Sequence, residues 1–264
     1  MSKKYINSLF IFGILMLLAG TKWDLYLTDF LYDPACGWAF CFQEIFPLLL
    51  KLWLCFCFMI LRDNYSLLSY AAGGISAASF SYQAMHLFHI SSYVLLALFF
   101  FAAFFGCYLL SSYLGAVRRQ KLYPYIAFYV KVLLAVLLAT TVCKVIWGRI
   151  RYRDMVDVSQ FSPWYVLFNR IGSSFPSGHT SSFVGSLLCL LGFPFPRIRK
   201  HHCLSCILAF ALVVMMMISR MIMGAHFLSD TAAGLLIAAG CWFYFYHRRE
   251  NELGILQENG ACRH

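Results

Sequence analysis

Long apolar runs separated by short polar stretches dominate the pattern of this sequence. Eight runs approach or exceed the roughly 20 residues that a helix needs to cross a bilayer, and they are apolar on every side rather than on one face. The pattern predicts an all-α fold, a polytopic bundle of about eight transmembrane helices. The predicted spans are 5–20, 45–61, 67–89, 93–116, 125–147, 180–195, 204–224 and 228–246.

Composition indicates a membrane protein with one domain. The chain has 264 residues, of which 61% are hydrophobic and 12% charged, whereas a soluble domain carries about 25% charged residues. We interpret residues 1–264 as one integral-membrane domain with a polar C-terminal tail, 248–264. The first run lacks a small-residue cleavage site and is interpreted as a retained span. The third run, 67–89, is rich in Gly, Ala and Ser, which suits either a closely packed span or a re-entrant segment.

The basic residues predict how the chain crosses the membrane. The formal net charge is +10, which in a soluble protein would suggest nucleic acid, but there is no soluble basic domain to bind it. With eight spans and a cytoplasmic N-terminus, most Lys and Arg residues fall in cytoplasmic loops, as the positive-inside rule requires. Both termini are then cytoplasmic, and the loop 148–175 and the turn 224–230 share the extracytoplasmic side.

Most of the eleven cysteines lie inside apolar runs, where Cys behaves as a small hydrophobic residue. Cys36 and Cys41 share a polar stretch, and the sequence leaves open whether they form an extracytoplasmic disulfide. Cys203 and Cys206 have metal or redox spacing next to two histidines, but no second pair accompanies them. We predict neither a metal site nor a cofactor.

A basic cluster closes the fifth run and consists of Lys144, Arg149, Arg151 and Arg153. Guanidinium groups bind phosphate oxygens at two points, and a lysine adds a point charge. The cluster therefore indicates a phosphate site. The alternative is a juxtamembrane stop signal or a lipid-headgroup contact, because basic residues are common at the ends of spans.

The stretch Pro176-Ser177-Gly178-His179 opens the sixth run. Backbone N–H groups at a helix start favour an anion, and Gly178 lets a ligand approach the backbone closely. Ser177 can donate a hydrogen bond, and His179 can donate a proton. The alternative is an ordinary capped helix start.

Arg220, His226 and Asp230 follow one another at the end of the seventh run. A cation in or near the membrane is costly and needs an anionic partner, which makes Arg220 a candidate phosphate ligand. One helical turn separates His226 from Asp230, so the carboxylate can fix the imidazole tautomer and leave the other ring nitrogen free to attack. The alternative is a His–Asp pair that ties two helix ends together.

Together these clusters resemble the signature of the type 2 phosphatidate phosphatase (PAP2) superfamily, in its integral-membrane lipid phosphatase branch. Glucose-6-phosphatase and the vanadium haloperoxidases belong to the same superfamily. The resemblance covers roughly 144–230, and Tyr152 stands where the family usually has proline. The match consists of Lys144, six residues and Arg151, then Pro176-Ser177-Gly178-His179, then Ser219-Arg220, five residues, His226, three residues and Asp230.

The resemblance implies a six-helix phosphatase core that hydrolyses a phosphate ester without a metal. His226 would form a phosphohistidine, Asp230 would orient and charge-balance it, and His179 would protonate the leaving oxygen and later activate water. Arg149 and Arg153 lie outside the strict motif and are candidates for contacts with a second phosphate or a headgroup. The phosphate oxygens would be held by Lys144, Arg151, Ser177, Gly178 and Arg220.

The resulting prediction is a metal-independent integral-membrane lipid phosphatase at the extracytoplasmic face of a bacterial inner membrane. Its substrate would be a lipid mono- or diphosphate such as a polyprenyl diphosphate, phosphatidylglycerophosphate, phosphatidate or lipid A. The alternatives are a non-hydrolytic lipid or phosphate transporter, a haloperoxidase and a phosphatase of soluble sugar phosphates. Binding alone needs no paired nucleophile and acid, which argues against transport, and haloperoxidases are soluble. The oligomeric state is not predicted.

Overall fold

The computed structural model of the chain describes residues 3–169, 172–192 and 201–261. Within these ranges the regular elements are helices, which confirms the all-α prediction. Two short 3₁₀ turns, Tyr152–Asp154 and Val158–Gln160, lie between the fifth and sixth α-helices. The α-helices are α1 (Lys3–Leu31), α2 (Gly37–Leu61), α3 (Ser66–Leu87), α4 (Tyr93–Tyr113), α5 (Gly115–Trp147), α6 (Gly178–Gly192), α7 (His202–Ile222) and α8 (Leu228–Ala261).

Within the described residues, six helices are long and apolar enough to cross a membrane, namely α1, α2, α4, α5, α7 and α8. The chain is therefore a membrane protein. With 22 residues α3 is long enough, but its Gly, Ser and Ala residues make it less apolar. Helix α6 has 15 residues up to the point where the described segment ends. The number of spans and the cytoplasmic position of both termini stay predictions.

Several helices extend beyond the predicted spans. Helix α1 continues to Leu31, well beyond the predicted end of the first span at Gly20. Helix α5 begins well before Tyr125, and α8 continues to Ala261 through the predicted polar tail. Helical backbone groups bond to one another in water as well as in lipid, so a helix need not end where the apolar run ends. The predicted end of the sixth span, Phe195, lies outside the described residues.

The chain divides into two compact units. Unit 1 comprises Met1–Ala39 and Val132–His264, and unit 2 comprises Phe40–Lys131. Helices α2 and α5 contribute residues to both. All three clusters with predicted chemistry therefore belong to unit 1.

In unit 2, α3 and α4 form an antiparallel hairpin. At one end, Arg62, just after α2, donates to Ser111 Oγ near the end of α4 (2.5 Å). At the same end, Arg119 at the start of α5 donates twice to Asp63 (2.7 and 3.2 Å). Helix α3 leaves this end and α4 returns to it, so α3 runs the length of the unit. This geometry favours a crossing segment over a re-entrant one for 67–89.

The other end of α3 is bound to α2. Lys51 Nζ donates to Gln83 Oε1 (2.6 Å), and Gln83 Nε2 donates to the Glu44 carbonyl (3.1 Å). These polar side chains link helices of unit 2 to one another. Small and sulfur-containing residues pack the interior between the two ends, namely Cys55, Met59, Ala77, Ala103 and Cys107.

In unit 1, several helix ends meet at one end of the unit. The N–H of Asp33, just after α1, donates to the Ile222 carbonyl at the end of α7 (2.9 Å). Lys144 near the end of α5 lies against Gly178 at the start of α6, and a short turn joins α7 to α8. Because α5 and α7 both run towards this end, α6 has to carry the chain away from it. That direction supports the prediction that the sixth run crosses the membrane.

The cysteines discussed above are free thiols. Cys36 and Cys41 are unpaired, and Cys41 lies within α2 rather than in a loop. Near the start of α7, Cys206 Sγ lies 3.2 Å from His202 Nδ1. In the described ranges, no group of three or more His, Cys, Asp or Glu residues is arranged to hold a metal ion.

Candidate active site

The three clusters converge at the shared end of unit 1. Lys144 donates to the Ser173 carbonyl, which joins the first cluster to the second. The Ser177 N–H donates to the Asp230 carbonyl (2.8 Å), which joins the second cluster to the third. A Cβ atom added to Gly178 would lie 3.8 Å from Lys144 Cε, so the lysine side chain passes over the start of α6. The structure thus brings the three clusters together at one place.

Three cations surround this point. Lys144 and Arg220 lie close enough to His226 to lower its pKa, and Arg151 lies close to Lys144. Arg151 Nη2 donates to Ser173 Oγ (3.2 Å). Arg151 Nε is a buried donor for which the described part of the chain provides no acceptor. A buried donor without an acceptor costs free energy, so this position is suited to an incoming anion.

Tyr152, which stands where the family usually has proline, is held by side-chain contacts. Its hydroxyl donates to Asp29 on α1, and its ring centre lies 5.1 Å from that of Tyr32. The next residue, Arg153, donates its N–H to the Gly224 carbonyl (3.0 Å). The loop that carries Arg151 is therefore fixed to α1 and to the turn between α7 and α8 without the proline.

Ser177 and His179 lie at the start of α6. Ser177 caps the helix, because its Oγ accepts from the Thr180 N–H (3.3 Å) and the Thr180 hydroxyl (3.0 Å). The capped helix start considered as an alternative is therefore present, and phosphate contacts of Ser177 and Gly178 stay predictions. His179 is half-buried in the first turn, at the positive end of the helix dipole. Its role as proton donor also stays a prediction.

A left-handed glycine turns the chain so that His226 faces the site. Gly224 has a φ of 58°, a conformation that favours glycine, and an added Cβ would lie 2.6 Å from Tyr32 Cε2. The turn ends α7, with the N–H groups of Ala225 and His226 both donating to the Arg220 carbonyl (3.0 and 3.2 Å). One short segment therefore places His226 beside the end of α7, where Arg220 lies.

Hydrogen bonding fixes the tautomer of His226. Its Nδ1 lies 2.7 Å from the Ser174 carbonyl oxygen, which can only accept, so Nδ1 carries the proton and Nε2 keeps its lone pair. The nearest carboxylate oxygen of Asp230 lies 3.7 Å from Nδ1. The tautomer thus depends directly on Ser174, and not on Asp230 as expected from the sequence. Asp230 contributes its negative charge from slightly farther away.

His226 is neutral at physiological pH. The residue is 3% exposed, and burial lowers its pKa to about 3, with further lowering by Lys144 and Arg220 and opposition from Asp230. A neutral imidazole with Nδ1 protonated keeps the Nε2 lone pair available. Nucleophilic attack requires that lone pair.

Asp230 is fully buried and has a full set of partners. Its Oδ1 accepts from Arg149 Nη1 (2.6 Å), and its Oδ2 accepts from the Ser174 hydroxyl (2.5 Å) and the Phe227 N–H (2.9 Å). The contact with Phe227 caps α8, whose exposed N–H groups favour a carboxylate. All three contacts suit the ionised carboxylate and hold it beside His226.

Arg149 lies behind Asp230 rather than in the site. The residue is 0% exposed. Its guanidinium donates to Asp24 Oδ2 (2.9 Å) as well as to Asp230, and lies 4.2 Å from the centre of the Phe227 ring. These partners give Arg149 a structural position, in contrast to the expected contact with a second phosphate or a headgroup. For Arg153, whose side chain is 33% exposed, that contact stays a prediction.

Asp24 on α1 belongs to the site region, although no role is predicted for it from the sequence. It is 1% exposed and accepts from the Ser229 N–H (2.8 Å), the Ser229 hydroxyl (2.5 Å) and Arg149. One sequence signal was available: Gly20, Asp24 and Thr28 recur at every fourth residue and are all buried. Small and polar residues at helical spacing in an apolar helix indicate a face packed against protein.

Comparison with known proteins agrees with this geometry. Searches of curated proteins and of solved structures found no match. Residues 124–253 match the model of the PAP2 superfamily. The matched range contains all three clusters and the two histidines at the point where they meet. On this match, residues 124–253 belong to the PAP2 superfamily.

Proposed function

We propose that the protein is a membrane phosphatase that removes phosphate from a phosphorylated lipid, with His226 as the nucleophile. The observation that carries the proposal is the tautomer of His226, whose Nδ1–H donates to the Ser174 carbonyl and whose Nε2 keeps its lone pair. A histidine that only ties helix ends together has no need of a basic nitrogen beside several cations. The PAP2 superfamily generally comprises phosphatases, which supports the same reaction class.

Charge and helix geometry provide a place for the phosphate. Lys144, Arg151 and Arg220 would share its negative charge, and the N–H of Gly178 at the start of α6 would bind one oxygen. The phosphorus atom would lie in front of His226 Nε2. Phosphoryl transfer depends above all on positioning and charge stabilisation, and each of these residues supplies one or the other.

The reaction would proceed in two steps. In the first, the Nε2 lone pair of His226 forms a bond to phosphorus, the bond from phosphorus to the leaving oxygen breaks, and His179 gives its proton to that oxygen. In the second, neutral His179 takes a proton from water, whose oxygen attacks phosphorus while the phosphorus–nitrogen bond breaks. Asp230 would balance the positive charge on the His226 ring between the two steps. The products are the dephosphorylated lipid and inorganic phosphate.

Exposed apolar residues in the site loop support a lipid substrate. Arg151 lies in the segment 148–177, where Val156, Tyr165 and Phe168 are 92%, 57% and 64% exposed. Side chains of this kind suit the interface between headgroups and hydrocarbon. A site at that depth could take the headgroup phosphate while the tail stays in the bilayer. The charge distribution of the loops is the reason to place this site at the extracytoplasmic face.

An apolar cavity in unit 1 gives further support. It has a volume of about 360 Å³ and is lined by α1, α6 and α7. Its wall on α6 begins at Val184, about 9 Å along the helix from Gly178 at a rise of 1.5 Å per residue. A hydrocarbon chain that leaves the phosphate site along α6 would reach this cavity, whereas a soluble sugar phosphate would leave it unused.

The test is phosphate release by the purified protein in detergent micelles. The substrates would be a polyprenyl diphosphate, phosphatidylglycerophosphate, phosphatidate and lipid A, with glucose 6-phosphate as the soluble comparison. We expect release from at least one lipid phosphate and little from the sugar phosphate. His226→Ala should lower the rate by about 1,000-fold or more, because loss of the nucleophile removes the covalent route.

A matched control is His86→Ala, which replaces an exposed histidine of unit 2 and should leave the rate unchanged. Substrate labelled with ³²P should leave a trapped phosphohistidine on the wild type and none on His226→Ala. Full activity of His226→Ala would contradict the proposal. Movement of intact lipid phosphate across vesicles without phosphate release would favour a transporter instead.

A further inference from the structure

We propose that Asp24 is a positioning residue: its charge neutralises Arg149, so that Asp230 keeps a full negative charge for His226. The inference rests on the proposed nucleophilic role of His226. It concerns a residue of α1, which lies outside the range matched by the family model.

A buried chain of contacts links Asp24 to the nucleophile. Asp24 Oδ2 accepts from Arg149 Nη2 (2.9 Å), and Asp230 Oδ1 accepts from Arg149 Nη1 (2.6 Å). The other carboxylate oxygen of Asp230 lies 3.7 Å from His226 Nδ1. At most 1% of the side chain of Asp24, Arg149 or Asp230 is exposed, so water screens these charges little.

Along this buried series of contacts, negative charges outnumber positive ones. Two carboxylates face one guanidinium, which leaves one net negative charge next to His226. During phosphoryl transfer the imidazole ring becomes positively charged, and the net negative charge stabilises it. Without the charge of Asp24, Arg149 would neutralise Asp230, and the phosphorylated ring would lose that stabilisation.

The packing of α1 shows that the contact is specific. An added Cβ at Gly20 would lie 2.7 Å from Asp24 Oδ1 and 2.7 Å from Ser229 Cβ. The backbone of α1 therefore approaches Ser229 closely, one turn before Asp24. That approach lets Asp24 accept from both the N–H and the hydroxyl of Ser229. These two bonds hold the carboxylate in place against Arg149.

The test compares kcat and KM of Asp24→Asn with those of the wild type, on the lipid phosphate that the panel shows to be cleaved fastest. Asparagine keeps the shape and removes the charge. We expect kcat to fall about 10- to 100-fold, as is typical when an outer partner of a catalytic group is removed. KM should change less than about threefold, because Asp24 does not contact the phosphate. Glu44→Gln, which also removes one carboxylate charge but lies in unit 2, should leave kcat unchanged.

A double variant separates charge balance from a merely structural role. Asp24→Asn with Arg149→Gln removes the carboxylate and the guanidinium together, so Asp230 regains its unopposed charge. We expect the double variant to have a higher kcat than Asp24→Asn alone. Two independent structural defects would instead give a lower kcat than either single change.

Three outcomes would overturn the inference. The first is a kcat for Asp24→Asn within twofold of the wild type, and the second is a double variant no more active than Asp24→Asn. The third applies if Asp24→Asn does not accumulate as folded protein, so that the double variant decides alone. In that case, a double variant that is folded but inactive overturns the inference. In each case inactivity of His226→Ala would show that the proposed function still holds, whereas an active His226→Ala would overturn the function itself.

Discussion

Arg149 in unit 1 and Arg119 in unit 2 each pair with aspartate, and the two clusters differ in burial. In unit 1, Arg149 lies between Asp24 and Asp230, and at most 1% of any of these side chains is exposed. In unit 2, Arg119 donates twice to Asp63, and 26% of the Asp63 side chain is exposed. Both clusters connect helices, and the cluster of unit 1 also adjoins His226.

Because of this difference in burial, the two clusters differ in what they cost in free energy. A buried ion pair carries a desolvation penalty that its Coulomb attraction only partly offsets, whereas a partly hydrated pair contributes about 0–1 kcal/mol. The pair of unit 2 is therefore an ordinary connection between helices. The cluster of unit 1 is costly and carries an unbalanced negative charge, which a structural connection would not need. Such a cost is typical of functional sites in membrane proteins.

The largest expected difference between the two clusters is the response to loss of the arginine. Arg149→Met would leave two buried carboxylates facing each other, which should destabilise the protein by about 3–5 kcal/mol. Arg119→Met leaves a carboxylate that water can reach, so its cost should be about 1 kcal/mol. The midpoints of thermal unfolding in detergent would measure both. Equal losses of stability would show that burial does not change the energetic contribution of these arginines.

The sequence predicts the helices and some of the site residues, but not the buried contacts between them. The helices follow from runs whose length is set by the bilayer, and Lys144 and Arg220 stood out because charged groups are rare in such runs. Arg151 stood out as part of a basic cluster, and His226 by its spacing of one helical turn from Asp230. Asp24 did not stand out, because its partner Arg149 lies 125 residues away and nothing local indicates the contact. The acceptor of His226 is the Ser174 carbonyl, and every residue has a carbonyl, so no residue type could indicate it.

A smaller effect should come from adding one methyl group to α1. Gly20→Ala would place a Cβ within 2.7 Å of Asp24 Oδ1 and 2.9 Å of the Ser229 nitrogen. We expect a loss of about 1–3 kcal/mol from overpacking, together with a lower kcat, because Asp24 would move away from Arg149. Thermal unfolding and phosphate release would measure the two effects.

The matched change in unit 2 is Gly74→Ala on α3, where the nearest atom, Phe104 Cε2, lies 3.9 Å from the added Cβ. It should be neutral or stabilise the helix by up to about 1 kcal/mol. If Gly20→Ala were as harmless as Gly74→Ala, α1 would not need its close approach to Ser229. The contact between α1 and α8 would then be adjustable rather than specific.

The smallest expected effect is the dependence of stability on pH. It concerns unit 1, which buries His226, whereas His86 and His89 of unit 2 are exposed. Burial lowers the pKa of His226 to about 3, below the value of about 6.5 in an unfolded chain. Between these values the unfolded chain binds a proton that the folded protein does not, so stability falls as the pH falls. The loss should be about 1 kcal/mol between pH 6.5 and 5.5.

The measurement is the difference in unfolding free energy between the wild type and His226→Gln at several pH values. Glutamine does not titrate, so contributions from all other groups cancel if its fold is unchanged. The wild type should lose stability relative to the variant as the pH is lowered through 6.5. A constant difference would mean that His226 gains its proton in the folded state as readily as in the unfolded state. The neutral nucleophile with its free Nε2 lone pair would then be absent at acidic pH, and kcat/KM should fall with the same midpoint.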